Sequence, residues 1–333
     1  MLGKKLAVDL GTQTVRMVVK GEGAITSEPS VVALRTDDHL TAGLFGGGAL
    51  RAAAEDSELR LLRPVAGGSL VDEAALRTLL NHVMIRAIGR QRIFKPDVVM
   101  TVMAALTGDE RRLMLDAAMQ SGARTAYLLD AVVAGAIGSG MPVSSAAGHL
   151  AIDVGAGKTE IAVLAQEGTV AGRCLAGHGG DRLAVSIAAH VHRKHGVELD
   201  LAAAEDIAAS LACVGIHEER RFEVMGRLHN AARPVTVTST ELTPVLDAHV
   251  RPIAIALDEV LAETPPGLRD DVHRAGIVMF GGAARLEGLD RYLSASCRMR
   301  VRVDGEPQLS VIRGTGYSLD NLDVLKRNFM YIR

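Results

Sequence analysis

The chain has 333 residues, of which 48% are hydrophobic and 23% charged, a balance that suits two globular domains and excludes an intrinsically disordered protein. The formal net charge of −2, with 3% aromatic residues and no tryptophan, indicates neither a basic surface for DNA nor a stacking platform for single-stranded nucleic acid, so we expect no nucleic-acid partner. The three cysteines, Cys174, Cys213 and Cys297, lack metal-ligand spacing and are expected to be reduced thiols. The absence of a signal peptide or long apolar span predicts a cytoplasmic protein.

The first predicted element is a strand–turn–strand unit over residues 6–19, with the sequence LAVDLGTQTVRMVV. An apolar strand leads to Asp9, the chain turns at Gly11, and a second apolar strand follows. Glycine lets the backbone approach an anion closely, and successive amides in such a turn form a concave donor surface for phosphate. A carboxylate beside that surface would hold Mg²⁺ through water. Taken alone, the unit is also typical of an ordinary β-hairpin with a glycine turn.

Strands and helices alternate through the rest of the first half, which predicts the α/β class. The glycine- and alanine-rich stretch 36–58 has weak periodicity and is interpreted as a small inserted subdomain. A capping box at Thr107 and Glu110 marks the start of one helix. The predicted elements are strands over 29–34, 98–103 and 126–129, and helices over 72–88, from 107 onward, and over 131–137.

The same strand–turn–strand pattern returns at residues 150–164, with the sequence LAIDVGAGKTEIAVL. Asp153 stands where Asp9 stands in the first unit, 153 − 9 = 144 positions later. A repeat of this kind implies two homologous halves. Two such units facing each other would make a phosphate clamp with a carboxylate on each side, so the repeat favours a nucleotide site over a pair of ordinary hairpins.

The second half continues the alternation of helices and strands. Its predicted helices cover 182–194, 202–211, 241–263 and the region around 286–293, with a final helix after Gly314. Its predicted strands cover 221–225, 235–238, 277–280 and 301–303, the first two belonging to another small insertion.

Short motifs occur in a fixed order along nearly the whole chain. In sequence they are Glu28-Pro29-Ser30-Val31-Val32-Ala33, Arg63-Pro64, Phe94-Lys95-Pro96, Glu110-Arg111-Arg112, Asp153-Val154-Gly155, Gly179-Gly180-Asp181-Arg182, Thr264-Pro265-Pro266, Gly281-Gly282 and Gly314-Thr315-Gly316. No single motif is decisive, but this order is hard to reach by chance. Together they resemble the bacterial rod-shape actins of the MreB/Mbl family, which belongs to the superfamily of actins, heat-shock chaperone ATPases and sugar kinases.

The resemblance implies an actin-like ATPase fold of two RNase H-like domains related by internal duplication, each with a small inserted subdomain. The first domain is expected over residues 1–140 and 309–333, with an insertion at about 32–64. The second is expected over 141–308, with an insertion at about 182–250. The resemblance further implies ATP and Mg²⁺ as cofactors, self-assembly into filaments on the inner face of the cell membrane, and partners among the proteins of cell-wall synthesis.

The site residues follow from the resemblance by position. Asp9 and Asp153 are expected to orient Mg²⁺, held through water, and the attacking water. The first phosphate loop is expected to be Gly11, Thr12, Gln13 and Thr14, and the second Gly155, Ala156, Gly157 and Lys158. The ribose and adenine are expected to be lined by Gly180, Asp181, Glu205, Ala208, Gly281, Gly282, Ala283 and Ala284.

The positions that depart from the family pattern cluster at the expected nucleotide site. The family has Glu-Glu-Pro where this chain has Asp130-Ala131-Val132, so Ala131 replaces the Glu that positions the attacking water. Alanine can neither orient nor deprotonate water, a role commonly worth roughly 10²–10⁴-fold in rate. The other departures are Thr14 for Asn, Ala156 for Gly, Lys158 for Thr, and Ala208 and Ser210 for Lys and Glu. These losses predict weak or absent hydrolysis.

Two features keep alternatives open. Lys158 either adds positive charge beside the phosphates or is simply solvated. The apolar pair Ile93 and Phe94, flanked by Arg90, Arg92 and Lys95, either dips into an anionic membrane or merely begins the following strand.

Two other functions compete with that of an ATP-binding filament protein. One is a pseudo-actin scaffold that binds partner proteins without nucleotide, and the other is a superfamily kinase for a sugar or acetate. A kinase needs a substrate-binding insertion and a general base near the γ-phosphate. No insertion of that kind is evident in the sequence, and Ala131 removes the acidic position, so the sequence favours the filament protein.

Overall fold

The structure is a computed structural model and describes residues 3–35, 40–89, 94–166, 168–215, 218–229, 231–320 and 331–332. The strands, in chain order, are β1 (Lys5–Leu10), β2 (Thr14–Val19), β3 (Ile25–Pro29), β4 (Val32–Arg35), β5 (Leu40–Phe45), β6 (Leu59–Leu62), β7 (Val65–Ala66), β8 (Ser69–Leu70), β9 (Asp97–Val102), β10 (Thr125–Asp130), β11 (His149–Val154), β12 (Lys158–Ala165), β13 (Gly168–Ala176), β14 (Arg221–Leu228), β15 (Ala231–Thr238), β16 (Ile277–Phe280), β17 (Val301–Val303) and β18 (Tyr331–Ile332). The helices are α1 (Gly46–Glu55), α2 (Glu73–Ile88), α3 (Gly108–Gln120), α4 (Ala131–Gly138), α5 (Gly180–His195), α6 (Leu201–Leu211), α7 (Thr243–Glu263), α8 (Pro266–Ala275), α9 (Leu289–Cys297) and α10 (Ser310–Ser318), with short 3₁₀ helices at Thr240–Leu242 and Gly282–Arg285.

The chain divides into two compact units. The first consists of Met1–Val143 and Gln308–Arg333, and the second of Ser144–Pro307. Each unit has a central β-sheet and buried apolar side chains of its own. In the described parts of the chain, no helix has the length and apolarity that crossing a membrane requires.

The central sheet of the first unit has the strand order β18-β10-β9-β1-β2-β3. Strands β1, β9 and β10 are parallel, while β1, β2 and β3 form an antiparallel meander. Every residue of β9 is buried, as expected for a central strand covered on both faces. The carboxyl ends of the parallel strands meet at one edge of this sheet, which is where open α/β sheets commonly bind ligands.

The central sheet of the second unit has the strand order β13-β12-β11-β16-β17. Strands β11, β12 and β13 form an antiparallel meander, and β11, β16 and β17 are parallel. This arrangement matches β3-β2-β1-β9-β10 of the first unit strand for strand. The 144-residue repeat in the sequence is therefore a repeat of one sheet topology.

Smaller elements lie beside each central sheet. In the first unit, β5, β4 and β6 form a separate antiparallel sheet that α1 packs against. Part of the stretch predicted to be loosely specified is therefore regular, because α1 packs Ala49 into a small apolar cluster with Val31 and Ala33. In the second unit, β14 and β15 form an antiparallel hairpin next to α6.

Further elements also differ from the sequence prediction, among them β13, α8 and α10. Strand β13 and helix α8 were not predicted, and α8 starts directly at Pro266, the second of the two prolines that end α7. Proline suits the first turn of a helix because the amide it lacks has no intrahelical partner there. The final helix starts at Ser310 and not after Gly314, which lies inside it.

Gly314 is required where α10 crosses α4. A Cβ atom on Gly314 would lie 1.8 Å from the carbonyl oxygen of Ala134, and one on Gly138 would lie 1.8 Å from the carbonyl oxygen of Ser310. The two helices therefore touch backbone to backbone. This contact fixes α4, and with it the position of Ala131, against the central sheet of the first unit.

Candidate nucleotide-binding site

The first predicted phosphate loop, Gly11, Thr12, Gln13 and Thr14, connects β1 to β2. The amide of Gly11 donates a hydrogen bond to the carbonyl of Thr14, 3.1 Å away. A Cβ atom on Gly11 would lie 2.7 Å from that same carbonyl oxygen, so the turn requires glycine. Arg63 donates to the carbonyl of Thr12 at 2.9 Å, which holds the loop from outside the hairpin.

Asp9 is buried one residue before the end of β1, with 8% of its surface exposed. The hydroxyl of Thr101 donates to Asp9 Oδ1 at 3.0 Å and accepts the amide of Leu10 at 3.3 Å. Arg16 lies directly opposite Asp9 in the hairpin register, and its Nη1 is 3.6 Å from Asp9 Oδ2. The carboxylate therefore has both a hydroxyl donor and a cation from its own unit.

Ala131 begins α4, immediately after β10 ends at Asp130. It lies at the same edge of the sheet as the end of β1, because β10, β9 and β1 run parallel. Ala131 is 6% exposed. The carboxylate of Asp130 accepts a hydrogen bond from Arg111 Nη2 at 2.7 Å, and the same nitrogen donates to the carbonyl of Ala104 at 2.9 Å. Asp130 is thus held in an ion pair with Arg111.

The second predicted loop, Gly155, Ala156, Gly157 and Lys158, connects β11 to β12 in the same way. The amide of Gly155 donates to the carbonyl of Lys158 at 2.9 Å, the counterpart of the Gly11 bond. Asp153 pairs across the hairpin with Glu160, as Asp9 pairs with Arg16. The two hairpins therefore share their turn and differ in the charge opposite the aspartate.

Lys158 forms an ion pair with both carboxylates of this hairpin. Its Nζ is 3.0 Å from Asp153 Oδ2 and also bonds to Glu160 Oε2. Only 15% of the Lys158 side chain is exposed, which rules out the solvated alternative. Burial by itself would lower the pKa of Lys158, but the attraction of Asp153 and Glu160 outweighs burial and raises the pKa, so the ammonium stays charged. Burial, followed by the charge of Glu160, raises the pKa of the neighbouring Cys174 thiol to about 12.

Helix α5 starts against the second loop. The amides of Gly180 and Asp181 donate to the carbonyls of Gly155 and Ala156, at 3.0 and 2.9 Å. A Cβ atom on Gly179 would lie 2.4 Å from the carbonyl oxygens of both loop residues, so the approach requires glycine there. The positive end of the α5 dipole is thereby placed beside the turn, an arrangement suited to an anion.

The segment after β16 also lies against the second loop and Asp153. Gly281 has a φ of +93°, and a Cβ atom there would lie 2.5 Å from Asp153 Oδ1. Ala283 lies beside Gly180, since a Cβ on that glycine would be 3.5 Å from the methyl of Ala283. Ala284 is 1% exposed and packs in the hydrophobic core, so its side chain serves packing.

The remaining predicted residues lie farther from the loops along the chain. Glu205 and Ala208 are on α6, which packs against α5, and Ala208 contacts the apolar cluster between these helices. Of the predicted membrane pair, Phe94 is 52% exposed. Ile93 lies outside the described residues, as do Arg90 and Arg92.

Several side chains beside Asp9, Asp130 and Asp153 were not predicted from the sequence. They are Arg16, Thr101, Arg111 and Glu160. Arg16 and Glu160 could have been found by pairing each hairpin across its turn, since both lie opposite an aspartate. Thr101 and Arg111 carry no such local signal, because they come from other elements of the unit.

Comparisons with known proteins agree with this arrangement. The family model described as MreB/Mbl protein matches residues 3–327. The cell shape-determining protein MreB of Escherichia coli (strain K12) is 32% identical over 333 residues, covering 97% of this chain and 95% of that protein. The cell shape-determining protein Mbl of Bacillus subtilis (strain 168) is 29% identical over 330 residues, covering 98% of this chain and 99% of that protein.

Solved structures show the same fold. MreB5 of Spiroplasma citri bound to ADP superposes with a TM-score of 0.89 at 25% identity, covering 98% of this chain and 99% of that chain, and its AMPPNP-bound structure matches equally well. A MamK double helical filament gives a TM-score of 0.80 at 22% identity, covering 95% of this chain and 99% of that chain, which supports the fold alone. The predicted actin-like fold of two repeated halves is confirmed.

Proposed function

The chain belongs to the MreB/Mbl protein family, and from that membership we propose that it is an ATP-binding bacterial actin that assembles into filaments. The family consists of actin-like cytoskeletal proteins whose named members determine cell shape. The observation that carries the proposal is the duplicated hairpin, which places Asp9 and Asp153 at equivalent positions of two equivalent sheets.

ATP is the proposed ligand because the backbone of both predicted phosphate loops forms the expected turns. The glycine turns at Gly11 and Gly155 keep their backbone bonds, and α5 starts against the second turn. A relative, MreB5 of Spiroplasma citri, has been solved with ADP and with AMPPNP. The two loops would hold the phosphates. The ribose and adenine would contact the residues carried over from the family, Gly180, Asp181, Glu205, Ala208, Gly281, Gly282, Ala283 and the backbone of Ala284.

Mg²⁺ is the cofactor that the family resemblance implies, and the residues at Asp153 do not fit it. One carboxylate oxygen already accepts from Lys158, and the other lies against Gly281. A metal held through water needs carboxylate oxygens that are free to accept from its water shell. Asp9 has Arg16 as a more distant cation, 3.6 Å away.

Hydrolysis is proposed to be slow. Ala131 has no group that can orient or deprotonate water, and the neighbouring Asp130 is held by Arg111 at 2.7 Å. A general base commonly contributes roughly 10²–10⁴-fold to a rate, so its loss outweighs any small change in nucleotide affinity. The protein would therefore act as a binding and assembly protein with little turnover.

Membrane attachment and partners form the last part of the proposal. We infer that the filaments lie on the inner face of the cell membrane and organise cell-wall synthesis together with proteins of that machinery. Phe94 and Lys95 are both exposed, and an exposed aromatic side chain beside a cation suits the interface of an anionic bilayer.

Two measurements on the purified full chain test the proposal: titration of labelled ATP, and sedimentation of polymer with and without ATP. We expect saturable ATP binding and a pellet that increases with protein concentration. Gly11→Ala should weaken ATP binding at least tenfold, because the added Cβ meets the Thr14 carbonyl at 2.7 Å. Gly108→Ala is the matched control, since no described atom lies within 4 Å of a Cβ there.

Each failure has a definite meaning. Polymer without any ATP binding at millimolar nucleotide would overturn the nucleotide part and leave a pseudo-actin scaffold. ATP binding without polymer at any concentration would overturn the filament part.

A further inference from the structure

The inference concerns the three charged side chains of the second hairpin. Lys158 Nζ bonds to Glu160 Oε2 and lies 3.0 Å from Asp153 Oδ2. The side chains are nearly closed to solvent, at 15% exposed for Lys158, 6% for Asp153 and 2% for Glu160. Two carboxylates buried together repel each other and lose their hydration, and a cation between them offsets both costs.

The Lys158 ammonium occupies the place at Asp153 where the water molecules around a metal ion would donate hydrogen bonds. The ammonium takes Asp153 Oδ2, and the backbone at Gly281 lies against Oδ1, close enough that a Cβ there would be 2.5 Å away. A divalent ion placed beside Asp153 would also be repelled by the Lys158 ammonium, in a region of low dielectric where such repulsion is strong. Lysine and metal therefore exclude each other at this carboxylate.

The position of the ammonium also suits a phosphate. Lys158 is the first residue of β12 and the last of the second loop, so its charge lies beside the glycine turn. An ammonium has three N–H donors, and two of them are used by Asp153 and Glu160 among the described contacts. The third can donate to an anionic oxygen.

We propose that Lys158 is a built-in cation that replaces the divalent metal at Asp153, so that this chain binds nucleoside triphosphate without Mg²⁺. The proposal rests on the proposed nucleotide function and specifies how the charge of the phosphates is balanced. The hairpin of the first unit has the same character, since Arg16 supplies a permanent cation opposite Asp9. The hairpin of each unit thus carries its own positive charge.

The first test compares ATP affinity in excess EDTA and in millimolar Mg²⁺. For the wild-type chain we expect dissociation constants that agree within about twofold. Lys158→Thr should bind ATP at least tenfold more weakly in EDTA and recover most of that loss in Mg²⁺, because the vacated carboxylates accept the metal. A wild-type affinity that falls tenfold or more in EDTA overturns the proposal.

Two control variants isolate the effect of the charge. Lys158→Arg keeps a cation at the same place and should remain insensitive to EDTA, and it also serves if the threonine variant does not fold. Lys194→Thr removes a lysine that is paired with the buried carboxylate of Glu241 at 2.7 Å, outside the hairpin. Its metal dependence should match that of the wild type.

A second readout does not depend on nucleotide binding. Mn²⁺, as a paramagnetic stand-in for Mg²⁺, is titrated into nucleotide-free protein and followed by electron paramagnetic resonance. Lys158→Thr should gain an Mn²⁺ site that the wild type lacks, and adding Asp153→Asn to that variant should remove it. An Mn²⁺ site that is equally strong in wild type and Lys158→Thr and is lost with Asp153→Asn overturns the proposal, even if the protein binds no ATP at all.

Discussion

At the scale of single residues, two aspartates of the candidate site are paired with cations. Asp130 is paired with Arg111, and Asp153 with Lys158. Each of these carboxylates is satisfied within its own unit, so neither is available as a general base. Alanine at position 131 leaves the place of the expected base without a polar group.

Ala131→Glu should raise the rate of ATP hydrolysis. The substitution places a carboxylate at the start of α4, and we expect at least a tenfold increase in phosphate release at saturating ATP, part of the roughly 10²–10⁴-fold that a general base contributes. Val132→Pro can be added to restore the family's local turn. Ala131→Gln has the same length without the charge, so it can orient water but not deprotonate it, and its rate should stay below that of the glutamate variant. Equal rates in the glutamate and glutamine variants would show that a base is not what the site lacks.

His249 should make folding stability depend on pH. It is 6% exposed, and burial, followed by the charges of His178 and Arg182, lowers its pKa to about 4. In the unfolded chain this histidine has its ordinary pKa near 6.5. Between pH 6.5 and pH 4 the unfolded chain therefore binds more protons than the folded chain, so the free energy of unfolding decreases as the pH is lowered. We expect His249 to account for a loss of about 2 kcal/mol in the free energy of unfolding between pH 7 and pH 5.

Urea denaturation at the two pH values measures that loss. His249→Gln removes the titrating group, so the loss in the free energy of unfolding between pH 7 and pH 5 should be about 2 kcal/mol smaller than in the wild type. His273→Gln, at an exposed position of α8, is the control and should leave the slope as it is. If His249→Gln and wild type lose equal stability on acidification, another group is responsible.

At the scale of elements, α4 and α10 touch backbone to backbone, and this contact involves a predicted motif. The motif Gly314-Thr315-Gly316 lies inside α10, and its first glycine touches the backbone of α4. Thr315 is fully buried and donates back to the carbonyl of Val311 at 2.7 Å. The two glycines of the motif therefore have different roles, although they are only two residues apart.

Gly314→Ala should destabilise the protein strongly. The new methyl group would lie 1.8 Å from the carbonyl oxygen of Ala134, so the helices must separate, at a cost of about 3 kcal/mol or more. Gly316→Ala is the matched control, because the nearest described atom is Val18 Cγ1 at 3.9 Å and alanine favours the helix by roughly 1 kcal/mol. Thermal denaturation should show a lower midpoint for the first variant and an equal or higher one for the second. Similar midpoints in the two variants would contradict the helix contact.

At the scale of the whole molecule, two units with one sheet topology each carry an aspartate, a glycine turn and an internal cation. The duplication thus extends from the sheet topology to the residues of the two predicted phosphate loops. Polymerisation multiplies weak contacts with a membrane, since each further attached subunit binds at high local concentration. In the proposed membrane-bound filament, weak attachment of each subunit would therefore be sufficient.

Replacing Ile93 and Phe94 together by Ser should weaken binding to anionic vesicles. Two apolar side chains contribute roughly 3–5 kcal/mol at most, so the loss should be large for monomer and smaller for polymer. Co-sedimentation with vesicles rich in phosphatidylglycerol measures the loss of binding. Met225→Ser removes an apolar side chain of similar exposure, 55% against 52% for Phe94, on the β14–β15 hairpin, and should bind like wild type. Unchanged binding of the double variant would place the membrane contact elsewhere.

Local patterns in the sequence determined much of this protein. The strand–turn–strand repeat, the glycine turns at Gly11 and Gly155, and the capping box of Thr107 and Glu110 all appear as predicted. These features depend on neighbours within a few residues, because strand alternation, turns and caps are satisfied by short-range backbone and side-chain bonds. For the same reason the predicted bounds of β16 and β17 agree with the structure.

Only the tertiary structure decided which polar side chains from different elements meet. Asp9 accepts a hydrogen bond from Thr101 of β9, and Asp130 accepts one from Arg111 of α3. These pairs are 92 and 19 positions apart in the chain. The role of Lys158 likewise depended on burial, which no pattern of neighbouring residues reveals. Whether a charged side chain is solvated, paired or available to a ligand is set by the dielectric and the partners that packing brings to it, and both come from distant parts of the chain.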